Sequence, residues 1–180
     1  MTSLAIHWDQ DPAAPVLEVE GHQAVTAHLA EAGVLFGRWH AAVALPDEAD
    51  EAAVTAAYAA PIERLKLARG YQSADIVRVR PDTPGLDALR VKFLAEHTHD
   101  EDEARFFVAG SGTFFLHLGR RVFRVACGPG DLISVPAGIR HWFDMGARPS
   151  FTAIRFFTRP DGWVAAYTGD PIAERFAPQE

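Results

Sequence analysis

Cysteine is almost absent from this sequence of 180 residues, which contains only Cys127. A single cysteine excludes an intrachain disulfide, and a reducing compartment such as the cytoplasm is the natural setting for such a chain. No disulfide is needed, because a domain of this length can bury about 70% of the surface that its unfolded chain exposes. We therefore expect one cytoplasmic domain that spans residues 1–180.

Long apolar runs and an excess of basic residues are also lacking. No uninterrupted apolar stretch approaches the ~20 residues needed to cross a membrane. The opening residues, MTSLAIHWDQD, lack the basic start and the apolar run of a signal peptide. The formal net charge is −7, which is unfavourable for nucleic acid because phosphate binding requires clustered Lys and Arg. We predict neither a membrane nor a nucleic acid as partner.

The sequence changes character near residue 75. Before that point, residues 21–33 and 50–71 carry helical signals, with Pro61 interrupting or restarting the second segment. We interpret residues 1–74 as a mostly helical N-terminal part whose helices pack on one face of the main fold.

Residues 75–160 consist of short segments typical of β-strands, separated by Gly and Pro. About eight strands are predicted, at DIVRV, LRVKFLAEHTH, ARFFVAG, TFFLHL, RVFRVAC, DLISVP, RHWFDM and FTAIRFF. Short strands with tight turns are typical of a closed or double-sheet β-barrel of the jelly-roll kind. Residues 161–180 follow as a packed tail with apolar anchors at Trp163, Tyr167, Ile172 and Phe176.

Two histidines one residue apart open the candidate site. Side chains on a strand alternate between its faces, so His97 and His99 point the same way, as two neighbouring ligands of one metal require. Glu103 follows far enough along to cross a bend and re-enter the same interior, and His141 comes after a PAG turn. Each residue alone has an ordinary alternative as a surface or hydrogen-bonded side chain. Their conjunction favours a metal site.

These two blocks resemble the paired motifs of the cupin superfamily, G-x5-H-x-H-x3-4-E-x6-G and G-x5-P-x-G-x2-H-x3-N. Here they read HTHDEDEARFFVAG and GDLISVPAGIRHWFDM. Two positions differ, because Val91 stands in place of the first Gly and Met145 in place of the final Asn, and neither is a ligand position. The resemblance implies a mainly β, double-stranded β-helix barrel that holds one metal ion through His97, His99, Glu103 and His141.

Residues 75–177 resemble the acireductone dioxygenase family more closely, and the run HWFDMG is the most specific part. This resemblance implies a monomer with one Fe²⁺ or Ni²⁺ per chain that cleaves acireductone (1,2-dihydroxy-3-keto-5-methylthiopentene) with O2 in methionine salvage. The iron form of the family yields formate and 2-keto-4-methylthiobutanoate. The nickel form yields formate, CO and 3-methylthiopropanoate. Another metal cupin dioxygenase or isomerase, or a non-catalytic ligand-binding cupin, remains the alternative.

Two aromatic residues are candidates for the substrate pocket. If both strands are regular, Phe93 shares a face with His97, and Phe143 shares one with His141. Their rings can contact the methylthio tail that the resemblance implies and exclude water, although packing in the core is an equal alternative.

Two arginines are further candidates. Arg105 shares a face with Glu103, and an inward arginine is rare unless it pairs with an anion, which favours contact with a substrate oxygen or a nearby carboxylate. Arg155 is a weaker candidate of the same type, and Trp163 is expected in the core rather than at the site.

Three acids are candidates for orienting the ligand imidazoles. Glu96 and Asp102 can accept a hydrogen bond from the second ring nitrogen of a ligand histidine, although an ideal strand would direct both outward. Asp102 and Glu101 belong to the run DEDE, and for both a solvated loop position is an equal alternative.

Overall fold

The structure is a computed structural model that describes residues 1–39, 45–46, 49–159 and 163–177. These residues form five helices and twelve strands: β1 Ser3–Trp8, β2 Leu17–Glu20, α1 His22–Glu31, β3 Leu35–Arg38, α2 Glu51–Ala57, α3 Ala59–Arg69, β4 Ser73–Val79, α4 Leu86–Leu94, β5 His97–Thr98, β6 Glu103–Gly110, β7 Gly112–Leu118, β8 Arg121–Cys127, β9 Asp131–Val135, β10 Arg140–Asp144, β11 Phe151–Phe157, β12 Ala166–Tyr167 and α5 Ile172–Arg175.

The strands form two antiparallel sheets. One has seven strands in the order β12-β5-β10-β7-β8-β1-β2, and the other has five in the order β3-β9-β6-β11-β4. Alternate side chains of both sheets meet in one buried cluster, which includes Leu4, Phe114 and Phe143 from the first sheet and Phe107 and Phe151 from the second. The predicted cupin jelly-roll class is confirmed.

The N-terminal helices pack on this framework, as predicted. Val54 of α2 and Ile62 of α3 are buried against Phe106 and Phe156 on the outer side of the five-stranded sheet. Pro61 lies in the first turn of α3, where its missing N–H costs no helical hydrogen bond. Among the described residues, no helix has the length and hydropathy needed to cross a membrane.

The N-terminal part is less helical than predicted. Strand β1 pairs with β8, and β3 pairs with β9, so this part completes both sheets as well as covering one of them. These strands are only four to six residues long, which leaves a weak pattern in the sequence.

The strand predicted at LRVKFLAEHTH is wrong over most of its length. Leu86–Leu94 is helix α4, and only His97–Thr98 is a strand. Leu86, Leu89 and Phe93 pack against the core at the i, i+3, i+7 spacing of a helix face. The argument that Phe93 shares a strand face with His97 is therefore also wrong.

The described part of the C-terminal segment packs on the outer face of the seven-stranded sheet. Ile172 and Phe176 lie against Phe115 and Trp142. Tyr167 is not the buried anchor that was predicted, since 52% of its surface is exposed.

Gly110 ends β6 with φ 71°, and a Cβ atom there would overlap the main-chain carbonyl of Ser150. We expect Gly110→Ala to lower the free energy of unfolding by about 3 kcal/mol, because left-handed backbone strain and overpacking add. Gly119→Ala is the matched control, since Gly119 has φ 63° but nothing within 4 Å of its Cβ position. Urea unfolding of both variants checks the prediction, and equal losses would contradict it.

Candidate metal centre

Four side chains predicted as ligands meet between the two sheets. His97 lies on β5, directly opposite His141 of β10 in the strand register. His99 follows β5, and Glu103 begins β6 in the other sheet. All four residues are buried, and one nitrogen or oxygen atom of each lies within 4.8 Å of the others.

Main-chain carbonyls fix the three imidazoles. Each Nδ1 lies 2.8 or 2.9 Å from a carbonyl oxygen, in the pairs His97–Ala95, His99–Val164 and His141–Ile139. Because a carbonyl only accepts, each Nδ1 carries the hydrogen, and a neutral ring then presents the lone pair of Nε2. A second hydrogen bond of this kind is how proteins orient ligand histidines.

Two of the three Nε2 atoms lie against the Glu103 carboxylate. Nε2 of His99 lies 3.0 Å from Glu103 Oε2, and Nε2 of His141 lies 3.2 Å from the same oxygen. Three nitrogens and one carboxylate oxygen fit a divalent ion such as Fe²⁺ or Ni²⁺, for which this mixed set is typical. A six-coordinate ion would keep two positions for other molecules.

The electrostatics of the centre favour the metal-binding forms of Glu103 and His97, whereas His99 holds its proton more strongly than a free histidine. Burial alone raises the pKa of Glu103, but the Arg105 guanidinium and the neighbouring rings of His141 and His99 hold this pKa well below its usual range. Burial and the neighbouring His141 lower the pKa of His97 to about 4. Burial also acts to lower the pKa of His99, but the hydrogen bond and charge of Glu103 outweigh it and raise that pKa.

The raised pKa of His99 predicts a pH-dependent metal affinity. Below that pKa a metal ion must displace one proton, so the apparent affinity should fall about tenfold per pH unit, beginning at or above pH ~6.5. His97, with its pKa of about 4, adds a second proton only in stronger acid. Competition with a chelating dye between pH ~5.5 and ~8 measures the slope, and a flat profile would contradict the prediction.

Arg105 lies inside the barrel beside the four candidate ligands. Its Nη2 donates to Glu103 Oε1 at 3.0 Å, and only 2% of its surface is exposed. The predicted carboxylate partner is thus Glu103 itself. Among the described residues, the Nε and Nη1 atoms of Arg105 have no hydrogen-bond partner. This leaves two buried N–H donors that an anionic oxygen can satisfy.

Aromatic rings surround this guanidinium. Its carbon atom lies 4.4 Å from the ring centroid of Phe143 and 5.1 Å from that of Phe114. The centroids of Phe93 and Trp163 lie at 5.7 and 5.8 Å. The structure therefore brings Phe93 to the site from helix α4, by a different route from the one predicted. The surroundings of the four candidate ligands thus combine aromatic rings with one buried cation.

Arg155 lies over the ring of Trp163 at 5.6 Å, but its donors are directed to a carboxylate. Its Nε and Nη2 atoms donate to Asp75 at 2.8 and 2.6 Å, across the β11–β4 pair. These contacts form a bidentate ion pair that is partly exposed. The structure therefore gives Arg155 a carboxylate partner outside the metal centre.

The three acids do not contact the ligand imidazoles, which corrects the prediction that they orient them. Glu96 accepts from His117 Nδ1 at 2.7 Å and from Thr168 Oγ1 at 2.8 Å. Glu101 accepts from the main chain and the hydroxyl of Thr158, and Asp102 accepts from the main chain of Ala137. They fix the segments that flank the ligands.

The C-terminal segment contributes to the centre in a way that was not predicted. The carbonyl of Val164 holds His99, and the ring of Trp163 stacks on His99 at 5.9 Å. The buried indole Nε1 of Trp163 has no hydrogen-bond partner among the described residues. Trp163 was expected in the core, and a main-chain contact such as that of Val164 leaves no signal in the sequence.

Comparison with known proteins agrees with this centre. The model of the ARD/ARD′ family matches residues 7–165. The chain belongs to the ARD/ARD′ family. The predicted resemblance is thereby confirmed over most of the sequence, including the N-terminal part.

Relatives of the ARD/ARD′ family match nearly the whole chain. The acireductone dioxygenase of Parvibaculum lavamentivorans is 54% identical over 98% of this chain and 96% of its own length. That of Granulibacter bethesdensis is 52% identical over 98% of both. The structure of acireductone dioxygenase from Bacillus anthracis, with a cadmium ion in its active centre, matches with a TM-score of 0.83 and 33% identity over 93% of this chain and 98% of that one.

Proposed function

We propose that this chain cleaves acireductone with O2, using one Fe²⁺ or Ni²⁺ held by His97, His99, Glu103 and His141. The observation that carries the proposal is the buried set of three imidazoles and one carboxylate within 4.8 Å. Relatives that cover almost the whole chain bear the name acireductone dioxygenase. One member of the family accepts a divalent cadmium ion in its active centre.

The bound ion and the surrounding side chains have separate roles in this proposal. A bound divalent ion supplies Lewis acidity, which stabilises negative charge on an enediolate oxygen. Arg105 offers Nε–H and Nη1–H to substrate oxygen, and a charge-assisted hydrogen bond of this kind is strong where water is excluded. Phe93 and Phe143 pack against the methylthio tail and keep water out. The indole N–H of Trp163 is a further donor beside His99.

Either ion suits the donor set, so both reaction branches belong to the proposal. Iron would give formate and 2-keto-4-methylthiobutanoate, the precursor of methionine in methionine salvage. Nickel would give formate, CO and 3-methylthiopropanoate. We further propose a monomer working in the cytoplasm, a setting consistent with the single cysteine, Cys127.

Oxygen consumption with synthetic acireductone tests the proposal. Metal-free protein is reconstituted separately with Fe²⁺ and Ni²⁺, and the products are identified by mass spectrometry together with CO detection. Both forms should consume O2 well above the metal-free background. No consumption above that background with either ion would overturn the proposal and favour another cupin reaction or a binding role.

A further inference from the structure

A cavity of about 340 Å³ lies on the outer face of the seven-stranded sheet. Phe115 of β7 and Asp144 of β10 line it, whereas their neighbours Phe114 and Phe143 point inward to Arg105. Because side chains alternate along a strand, the sheet separates this cavity from the metal centre. Its volume lies at the lower end of the range for small-molecule sites, roughly 300–1,000 Å³.

His7 of β1 lines the cavity and has one ring nitrogen without a hydrogen-bond partner among the described residues. Only 7% of its surface is exposed, and its Nδ1 has no partner in the part of the chain that the structure describes. Burial and the Arg124 guanidinium lower the pKa of His7, and the carbonyl of Pro12 accepts from the ring. The other ring nitrogen must supply that hydrogen, so Nδ1 is a buried acceptor that calls for a donor.

The charged residues around the cavity favour an anion. Arg124 of β8 and Arg175 of α5 both line it, and neither forms an ion pair or a hydrogen bond with any described residue. Asp144 is the opposing carboxylate, and its Oδ1 accepts from the main chain of Gly146 at 2.7 Å. Glu18 and Asp11 act on His7 from outside the cavity lining, so among the residues that line the cavity two guanidiniums face one carboxylate.

Two aromatic rings supply an apolar wall. The centroids of Phe115 and Phe176 lie 6.2 Å apart, with their planes at 64°. The ring of Phe176 also lies edge-on to His7 at 5.7 Å. A flat apolar body can pack against this wall while polar groups at its ends reach the arginines and the histidine.

We propose that this cavity binds a small organic anion that also carries a hydroxyl group. Its carboxylate or phosphate contacts Arg124 and Arg175, its hydroxyl donates to Nδ1 of His7, and its apolar body packs on Phe115 and Phe176. This site is distinct from the metal centre, and its occupation does not depend on the reaction proposed above.

Calorimetry on the metal-loaded protein measures the affinity of four probe compounds. The NMR resonances of the His7 ring report whether each probe binds in this cavity. The probes 3-hydroxybenzoate and 3-hydroxyphenyl phosphate carry both features, benzoate lacks the hydroxyl, and 3-hydroxybenzyl alcohol lacks the charge. We expect millimolar or tighter binding of at least one complete probe, and about tenfold weaker binding of each deficient one. Preference between the two complete probes identifies the anion.

Substitutions of the charged residues test whether the probes bind in this cavity. Arg124→Gln and Arg175→Gln should each weaken the complete probe about fivefold, and Asp144→Asn should strengthen it about twofold. Arg121→Gln is the matched control, because Arg121 is also an exposed arginine of β8 but lies over Trp8, outside the cavity. This substitution should leave the affinity for the complete probe unchanged. None of the four variants should alter oxygen consumption.

Two results would overturn the proposal. One is no binding of any anionic probe at about 10 mM, well above the dissociation constants of specific small-molecule sites. The other is binding that Arg124→Gln and Arg175→Gln weaken no more than Arg121→Gln does.

Discussion

His141→Ala is expected to retain less than about a tenth of the bound metal, with oxygen consumption at the metal-free background. His141 is 2% exposed, and its ring is fixed by the carbonyl of Ile139. Its Nε2 is one of four donors grouped within 4.8 Å, and alanine offers no replacement. His97→Ala should behave in the same way. Elemental analysis after dialysis, paired with oxygen consumption, checks both variants.

His28→Ala is the control for this experiment. His28 lies on α1 with a third of its side chain exposed and Glu31 nearby, outside the metal centre. It should keep full occupancy and full turnover. If His97→Ala or His141→Ala kept as much metal as His28→Ala, the ligand assignment would be wrong.

Arg105→Met should lower kcat/KM by at least about 100-fold while most of the metal stays bound. The two unpartnered donors of Arg105 are the groups proposed to hold substrate oxygen, and removing two charge-assisted hydrogen bonds in a dry pocket costs about 3 kcal/mol. Methionine is similar in length and packs well among aromatic rings, so the fold should persist. Steady-state kinetics and elemental analysis on the same preparation separate catalysis from metal loading.

Arg155→Met provides the comparison, because that guanidinium is already paired with Asp75. It should lower kcat/KM less than about tenfold, since its loss removes no unpartnered donor. Arg105→Lys should recover part of the activity, because it restores the charge beside Glu103 but not the planar fork. Equal kinetics for Arg105→Met and the parent protein would show that Arg105 serves only to pair with Glu103.

The candidate ligands were predictable because their signals are local. The H-x-H spacing of His97 and His99 fixes a shared direction over three residues. His141 follows the PAG turn, and Glu103 ends the acidic run DEDE four residues after His99. The structure brings all four together, although their role as ligands stays a prediction.

The misses have physical causes. The segment Leu86–Leu94 contains Val, Phe and Leu, which favour strands, and its helical spacing shows only when the whole segment is compared with a helix face. Strands β1 and β3 pair with strands far along the chain, and no local pattern reports such partners. Long-range pairing therefore explains the missed strands, and an overlooked helical spacing explains α4.

The groups that orient the ligand imidazoles also could not be predicted from the sequence. Acidic side chains were expected to orient the imidazoles, whereas the carbonyls of Ala95, Ile139 and Val164 do so. Every residue has a carbonyl, so its use cannot be read from residue types. Glu96 instead joins His117 to Thr168, a contact that only the tertiary fold creates.

Anomalous diffraction from crystals grown with Ni²⁺ tests the central claim most directly. One peak should lie among Nε2 of His97, Nε2 of His99, Nε2 of His141 and a carboxylate oxygen of Glu103, with non-protein ligands completing the coordination. A peak elsewhere, or an ion enclosed by protein atoms alone, would contradict the account.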